Sequence, residues 1–315
     1  MKIVSGIENV EPAERPNVVA IGVFDGVHLG HQAVITTAVS EARKKKADTV
    51  VVTFSPHPSS VLRPKNHLPI LTGLKLKTEL IEQLEVSTLL VVNFTREVSE
   101  LGPDKFIDQL LVTLLSATAV VVGEEFRFGK GAAGDVELLR KNGPENNFYV
   151  ISVPLVLAEG SPISSTRIRK LLAQGDLEGA KALLGRYPRI TGVVVKGHGR
   201  GGKVLGFPTA NIETPDVGSV PGRGVYAGRV KLNSEKWHIC VIDIGTSPTF
   251  EKQSKNMEIH VHVPGLDVNL YGKEIEAEIQ LRIRDEKSFP DERALMRQIA
   301  GDIEVAKRAL SSMLP

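Results

Sequence analysis

His28 and His31 stand three residues apart in Gly22-Val23-Phe24-Asp25-Gly26-Val27-His28-Leu29-Gly30-His31. The apolar run 18–21 before them reads as a buried strand. Val34, Ile35, Ala38, Val39 and Ala42 after them have the spacing of one helix face. The string therefore falls on a strand-to-helix turn, where free backbone N–H groups and the helix dipole favour an anion. The two histidines share a face of the first turn, and Gly30 between them leaves a ligand free to approach the backbone. This suits a nucleotide phosphate, although His-x-x-His alone also suits a solvated helix start or a partial metal site.

A second group, Ser164-Ser165-Thr166 with Arg169 one turn on, opens a helix that continues through Leu171 and Leu172. Hydroxyls before a helix are ordinary caps, but three in a row followed by an arginine exceed what a cap needs. Arginine can clamp a phosphate through paired N–H donors, with hydroxyls and cap N–H groups completing the cradle. A third group lies far along the chain. Thr209 and Asn211, in Pro208-Thr209-Ala210-Asn211, put a hydroxyl and an amide oxygen on one face of an extended strand. Hard oxygen donors of that kind suit Mg²⁺. Glu258, in Glu258-Ile259-His260, reads by itself as a solvated strand glutamate.

The elements that must position these groups differ between the two halves. In the first, strands at 49–54, 88–94, 119–122 and 148–153 alternate with helical spacing at Leu76, Leu80, Ile81 and Leu84, at 103–115 and at 136–140. That alternation predicts a Rossmann-like, doubly wound parallel sheet with ligands at the carboxyl ends of its strands. The opening string, the turn Ser55-Pro56-His57-Pro58 and the polar Gly-rich loop Gly123-Glu124-Glu125-Phe126-Arg127-Phe128-Gly129-Lys130-Gly131 all fall at those ends. Helical patterning stops at Gly185-Arg186-Tyr187-Pro188. Beyond it, β-rich runs at 190–195, 224–230, 237–244, 257–263 and 275–283 predict a small antiparallel β-barrel, closed by a helix from about Pro290. The expected domains are 1–184 and 185–315.

Gly197-His198-Gly199-Arg200-Gly201-Gly202-Lys203 satisfies the first part of a P-loop, but Val204 follows where Ser or Thr should ligate Mg²⁺, and a turn and strand follow instead of a helix. Gly202 and Lys203 are read instead as part of a phosphate-covering loop.

A length of 315 residues suits two domains. The 39 basic and 37 acidic residues leave a formal charge of +2, which argues against a nucleic-acid footprint. One cysteine, Cys240, excludes an internal disulfide and a Cys-rich metal site, and fits a reducing compartment. Residues 1–16 carry no apolar core of signal-peptide type, and the longest apolar stretch, 110–122, is too short to span a bilayer. A soluble, cytoplasmic protein is expected.

The opening string resembles the His-x-Gly-His signature of the nucleotidyltransferase superfamily. In full it resembles bacterial FAD synthetases, the bifunctional riboflavin kinase/FMN adenylyltransferases. Ser164 to Arg169 resembles that family's Ser-Ser-Thr-x-Ile-Arg motif, and Leu205 to Ile212 is close to the riboflavin kinase signature. Gly224 to Gly228, Gly245 to Phe250 and Leu270 to Gly272 are similar to further family strings.

The resemblance implies phosphorylation of riboflavin to FMN in the C-terminal domain and adenylylation of FMN to FAD in the N-terminal one, both from ATP with Mg²⁺. It implies ATP contacts at Gly22, Phe24, Asp25, Gly26, His28, Gly30 and His31, and a pyrophosphate cradle at Ser164, Ser165, Thr166 and Arg169. It further implies flavin contacts at His57, Glu125, Phe126 and Phe128, with Glu125 standing where the family usually has Asp or Asn. Thr209 and Asn211 become metal contacts, and Glu258 becomes the base for the ribityl hydroxyl. The implied partners are small molecules, with no nucleic acid and no membrane. A cytidylyltransferase fused to a β domain is disfavoured by Pro208 to Asn211. An aminoacyl-tRNA synthetase is disfavoured by the lack of a Lys-Met-Ser-Lys-Ser string. A non-catalytic flavin or nucleotide binder is disfavoured by the presence of His31 and Glu258.

Overall fold

The computed structural model of the chain describes residues 1–12, 15–66, 68–195, 209–213, 219–232, 236–245, 258–266 and 270–311, the side chain of Thr209 excepted. The chain divides into two compact units, Met1–Ser165 and Thr166–Pro315.

The first unit is built on six parallel strands: β1 (Lys2–Ser5), β2 (Asn17–Ile21), β3 (Asp48–Ser55), β4 (Thr88–Asn93), β5 (Ala117–Gly123) and β6 (Tyr149–Val153). Their order is β1-β4-β3-β2-β5-β6. The order reverses direction at β2, so the crevice beyond its carboxyl end is the topological switch point where such sheets bind ligands. β2 is buried on both faces. Val18 and Ala20 join the core beneath helix α1 (Leu29–Lys45), while Val19 and Ile21 join the opposite core with Phe106, Leu111 and Leu139. Each large apolar side chain buried this way contributes about 1.5–3 kcal/mol. A hairpin, β7 (Leu157–Ala158) and β8 (Ser161–Pro162), leads into Ile163.

Two local features depart from expectation. β1 has no predicted counterpart, because only Val4 of its four residues is buried and no apolar run marks it. The helix expected over 103–115 forms as Pro103–Phe106 followed by a wider, π-type stretch, Ile107–Leu114.

In the second unit, β9 (Arg189–Val195), β10 (Thr209–Glu213), β11 (Gly224–Leu232), β12 (Trp237–Gly245), β13 (Glu258–His262) and β14 (Glu274–Arg284) close an antiparallel barrel in the order β10-β13-β12-β11-β14-β9. Val225 and Ala227 of β11, with Val241 of β12, pack under the final helix Glu292–Leu310 through Ile303, Ala306 and Leu310. Asp291 caps that helix by accepting from the Ala294 N–H at 2.7 Å. The buried Asp302 carboxylate receives Arg284 Nε and Nη2 at 2.8–3.2 Å and pins the helix to β14. The helices Ser165–Gln174 and Leu177–Leu184 largely group with the barrel. Gly222 N–H donates to the Leu172 carbonyl at 2.9 Å, and Leu177–Leu184 packs on β14. Helical patterning alone assigns them to the preceding half.

Candidate functional site

The loop after β2 is bent by three successive departures from ordinary backbone: Phe24 at φ 49°, Gly26 at φ 93° and Val27 at φ 40°. A β-branched residue in that region is an outlier, and non-glycine residues held there cost about 1–3 kcal/mol each unless their surroundings over-determine them. Here they do. The Val23 carbonyl accepts from Thr53 Oγ1 at 3.0 Å and Lys77 Nζ at 2.9 Å. The Asp25 carbonyl accepts from Ser165 Oγ at 2.8 Å, and the Val27 carbonyl from Gln32 Nε2 at 2.9 Å. At Gly22 a Cβ would fall 2.8 Å from the Phe24 ring, so glycine is required there.

This loop delivers the two histidines to the start of α1. His28 is buried and caps the helix, its Nδ1 accepting from the His31 N–H at 3.3 Å. The imidazoles stack with centroids 3.5 Å apart and planes 19° from parallel, and Phe24 meets His31 edge-on at 5.4 Å. A Cβ at Gly30 would press on the His28 ring at 3.2 Å, so that glycine makes room for the histidine itself as well as for a ligand. The result is two imidazoles in one stack above a helix N-terminus, an arrangement suited to phosphate oxygens.

Ser165 opens the helix Ser165–Gln174 and ties to the loop through its hydroxyl. Ser164 is half-buried next to it; further along the chain, in the second unit, Thr166 is exposed and Arg169 half-buried.

Three of the expected contact residues also have structural partners. Asp25 is 2 % exposed, and its Oδ1 accepts from the N–H groups of Leu71 at 2.9 Å and Thr72 at 3.2 Å. A buried carboxylate held by these donors supports the loop. Phe128 is packed in the hydrophobic core against Phe106, with centroids 5.2 Å apart. Its ring is committed there, which leaves Phe126, stacked on it at 5.6 Å, as the more open aromatic. His57 caps the short helix Pro58–Leu62, with Nδ1 accepting from Ser59 N–H at 3.1 Å, so part of its bonding capacity is structural. Glu125 is exposed, while its neighbour Glu124 binds the Leu155 N–H at 2.8 Å. Sequence reasoning missed Lys77 altogether, because a lysine between Leu76 and Thr78 on a helix reads as solvated.

In the second unit, strand register sets Asn211 opposite His260 and His260 opposite Asp243. His260 Nε2 lies 3.1 Å from Glu258 Oε2, and its Nδ1 lies 2.5 Å from Asn211 Oδ1. One imidazole thus joins the expected base to an expected metal contact. Burial pushes the Asp243 carboxyl up, opposed by the charges of His260 and Arg284 and reinforced by Glu286 and Asp302. His260 and Asp243 were not singled out from sequence; the two-residue offset in Glu258-Ile259-His260 is the signal that places both side chains on one strand face. Gly202 and Lys203 lie outside the described residues, as does the Thr209 side chain. Among the described residues, no group of three His, Cys, Asp or Glu side chains is placed to hold a metal ion. Among them, too, no helix is long and apolar enough to cross a membrane.

The imidazole stack lies at the sheet's switch point, where ligands bind in sheets of this kind. The chain matches the family described as FAD synthetase over residues 10–167 and that described as riboflavin kinase over residues 184–310. It is 35% identical to a bifunctional riboflavin kinase/FMN adenylyltransferase of Buchnera aphidicola subsp. Schizaphis graminum, over 98% of both chains. To the Bacillus subtilis protein of the same description it is 37% identical, over 96% of both. A solved chain from Streptococcus pneumoniae described as a macrolide-efflux protein shares the fold with a TM-score of 0.84 and 27% identity, covering 98% of this chain and 99% of that one. The chain belongs to the bifunctional riboflavin kinase/FMN adenylyltransferase family.

Proposed function

We infer that the chain is a transferase of flavin cofactor biosynthesis, phosphorylating riboflavin with ATP to FMN and then adenylylating FMN with ATP to FAD and pyrophosphate. Membership in the family supports both steps. The single observation that carries the division of labour is the contrast between the sites: stacked imidazoles on a helix N-terminus in one unit, and a strand carboxylate bonded to an imidazole in the other.

That contrast matches the chemistry of each step. The phosphate of FMN already carries a nucleophilic oxygen, so adenylyl transfer needs alignment and charge stabilisation rather than a base. His28 and His31 serve the ATP phosphates, and Ser164, Ser165, Thr166 and Arg169 hold the departing pyrophosphate. Gly22, Gly26 and Gly30 keep the loop close to the nucleotide, and Phe126, His57 and Glu125 border the flavin. The ribityl hydroxyl of riboflavin is a poor nucleophile, and Glu258 accepts its proton as it attacks the γ-phosphate of ATP. Functionally 1–184 serves the second step and 185–315 the first, although 166–184 packs with the barrel.

Mg²⁺ is assigned to Asn211 and Thr209. The Asn211 amide oxygen is a hard donor that keeps a second lone pair beside its His260 contact, which fits the ion. When bound, the ion neutralises charge on the ATP phosphates. Gly202 and Lys203 are assigned to covering those phosphates. The substrates are small molecules drawn from the cytoplasm, where ATP is made. The near balance of 39 basic and 37 acidic residues supports a protein without a nucleic-acid partner. Incubating the purified protein with riboflavin, ATP and Mg²⁺ and separating the flavins tests the reading: FMN followed by FAD is expected, and unchanged riboflavin would overturn it.

A further inference from the structure

Lys77 lies on the helix Leu74–Glu82 and is only 4% exposed. A lysine buried that deeply is costly unless its ammonium has a partner, and an unbranched apolar side chain such as methionine would fill the same space. Its Nζ donates to the Val23 carbonyl at 2.9 Å, and the Asp25 charge lies close enough to favour its protonated form. Asp25 in turn reaches the opposite way, binding the N–H groups of Leu71 and Thr72 just before the same helix. The segment 71–77 and the loop 22–28 are therefore cross-tied by a cation running one way and a carboxylate running the other. Between the two ties lies the positive-φ residue Phe24, with the positive-φ residues Gly26 and Val27 just beyond. A backbone in that state persists only when held from outside, and this pair of ties comes from a single neighbouring segment.

We propose that Lys77 is a positioning residue for adenylyl transfer: its ammonium, fixed on the Val23 carbonyl and balanced by Asp25, holds the loop 22–28 in the bent form that presents His28, His31 and the first N–H groups of α1 to the ATP phosphates. This rests on the adenylyl-transfer reading of the first unit. The role is confined to ATP, because the loop carries the phosphate contacts and leads directly into the helix start.

The test is Lys77→Met in the full chain, with FMN adenylylation followed at varied ATP and varied FMN. Riboflavin phosphorylation by the same preparation reports on the barrel. A loss of tenfold or more in kcat/KM for ATP is expected, with KM for FMN and riboflavin phosphorylation within twofold of the parent and partial rescue by Lys77→Arg. Unchanged ATP kinetics, or equal losses toward ATP and FMN, would overturn the proposal. If Lys77→Met does not fold, Lys77→Gln removes the cation while keeping a shorter polar side chain. A selective rise in KM for ATP then supports the proposal, and parental kinetics sink it. His31→Ala is run alongside: if it leaves FAD formation intact, the adenylyl-transfer reading itself has failed, and the role of Lys77 falls with it.

Discussion

The hydroxyl of Ser165 donates to the main-chain carbonyl of Asp25 across 2.8 Å, joining residues 140 apart in the chain. Asp25 belongs to the turn that carries the stacked histidines, and Ser165 to the hydroxyl cluster that precedes Arg169. The two strings are thus joined by one short bond to the carbonyl of a residue whose side chain is anchored at Leu71 and Thr72.

Removing that bond should be felt in one activity only. A neutral hydrogen bond of this kind is worth about 0.5–1.5 kcal/mol net. Ser165→Ala should therefore lower kcat/KM for FAD formation by up to about tenfold, the factor that 1.4 kcal/mol represents. Riboflavin phosphorylation, measured in the same samples, should not change.

The two active groups should separate cleanly. Glu258→Ala should lower FMN formation by about 10²-fold or more, as expected for loss of a general base, while FAD is still made from supplied FMN. His31→Ala should do the reverse. Loss of both activities in either folded variant would contradict two independent sites; flavin products resolved by chromatography decide it.

Lys77 also gives the first unit a pH signature. Burial, only partly offset by Asp25, lowers its ammonium from the ordinary 10.5 to about 8. Below pH 8 the group is charged in both folded and unfolded chains, and the cost of burying it is fully present. Between pH 8 and 10.5 the unfolded chain binds more protons, so the folded state gains stability as pH rises, by about 3 kcal/mol at most. Denaturant unfolding of the parent and of Lys77→Met at pH 7.5 and pH 10 should show the parent gaining on the variant. A constant difference would refute a titrating Lys77.

In the barrel, Asp302 is 2% exposed and bound through both oxygens by Arg284. Asp302→Ala leaves the half-buried Arg284 without its carboxylate, and removing one partner of a buried pair typically costs about 3–5 kcal/mol. Calorimetry should show the barrel transition falling substantially, with FMN formation lost at a lower temperature than FAD formation from FMN.

The strands of the first unit were legible where β-branched residues run together, as at 18–21, 49–54 and 119–122, because a strand buried on both faces needs no alternation to declare itself. β1 escaped notice because its burial rests on Val4 alone. The π-type stretch 107–114 escaped because Ile107, Leu110 and Leu111 fit ordinary helical spacing equally well. Among site residues, the histidine pair was readable since i,i+3 spacing fixes a shared face. Asp25, Phe128 and Lys77 were not. Whether a carboxylate, a ring or an ammonium turns toward a ligand or into the protein is decided by distant segments: 71–72 for Asp25, Phe106 for Phe128 and the Val23 carbonyl for Lys77. The role of Glu258 as a base is implied only by resemblance; strand spacing alone reads it as solvated, and its contact with His260 was visible only as the two-residue offset between them.

The helix Ser165–Gln174 begins at the hydroxyl that holds Asp25 and continues to Leu172, whose carbonyl receives the barrel's Gly222 N–H. Any attempt to express the activities as separate polypeptides must cut this continuous stretch or discard one of its duties. A barrel begun at 185 loses the Leu172 partner of Gly222, and an N-terminal fragment ended at 165 loses Arg169.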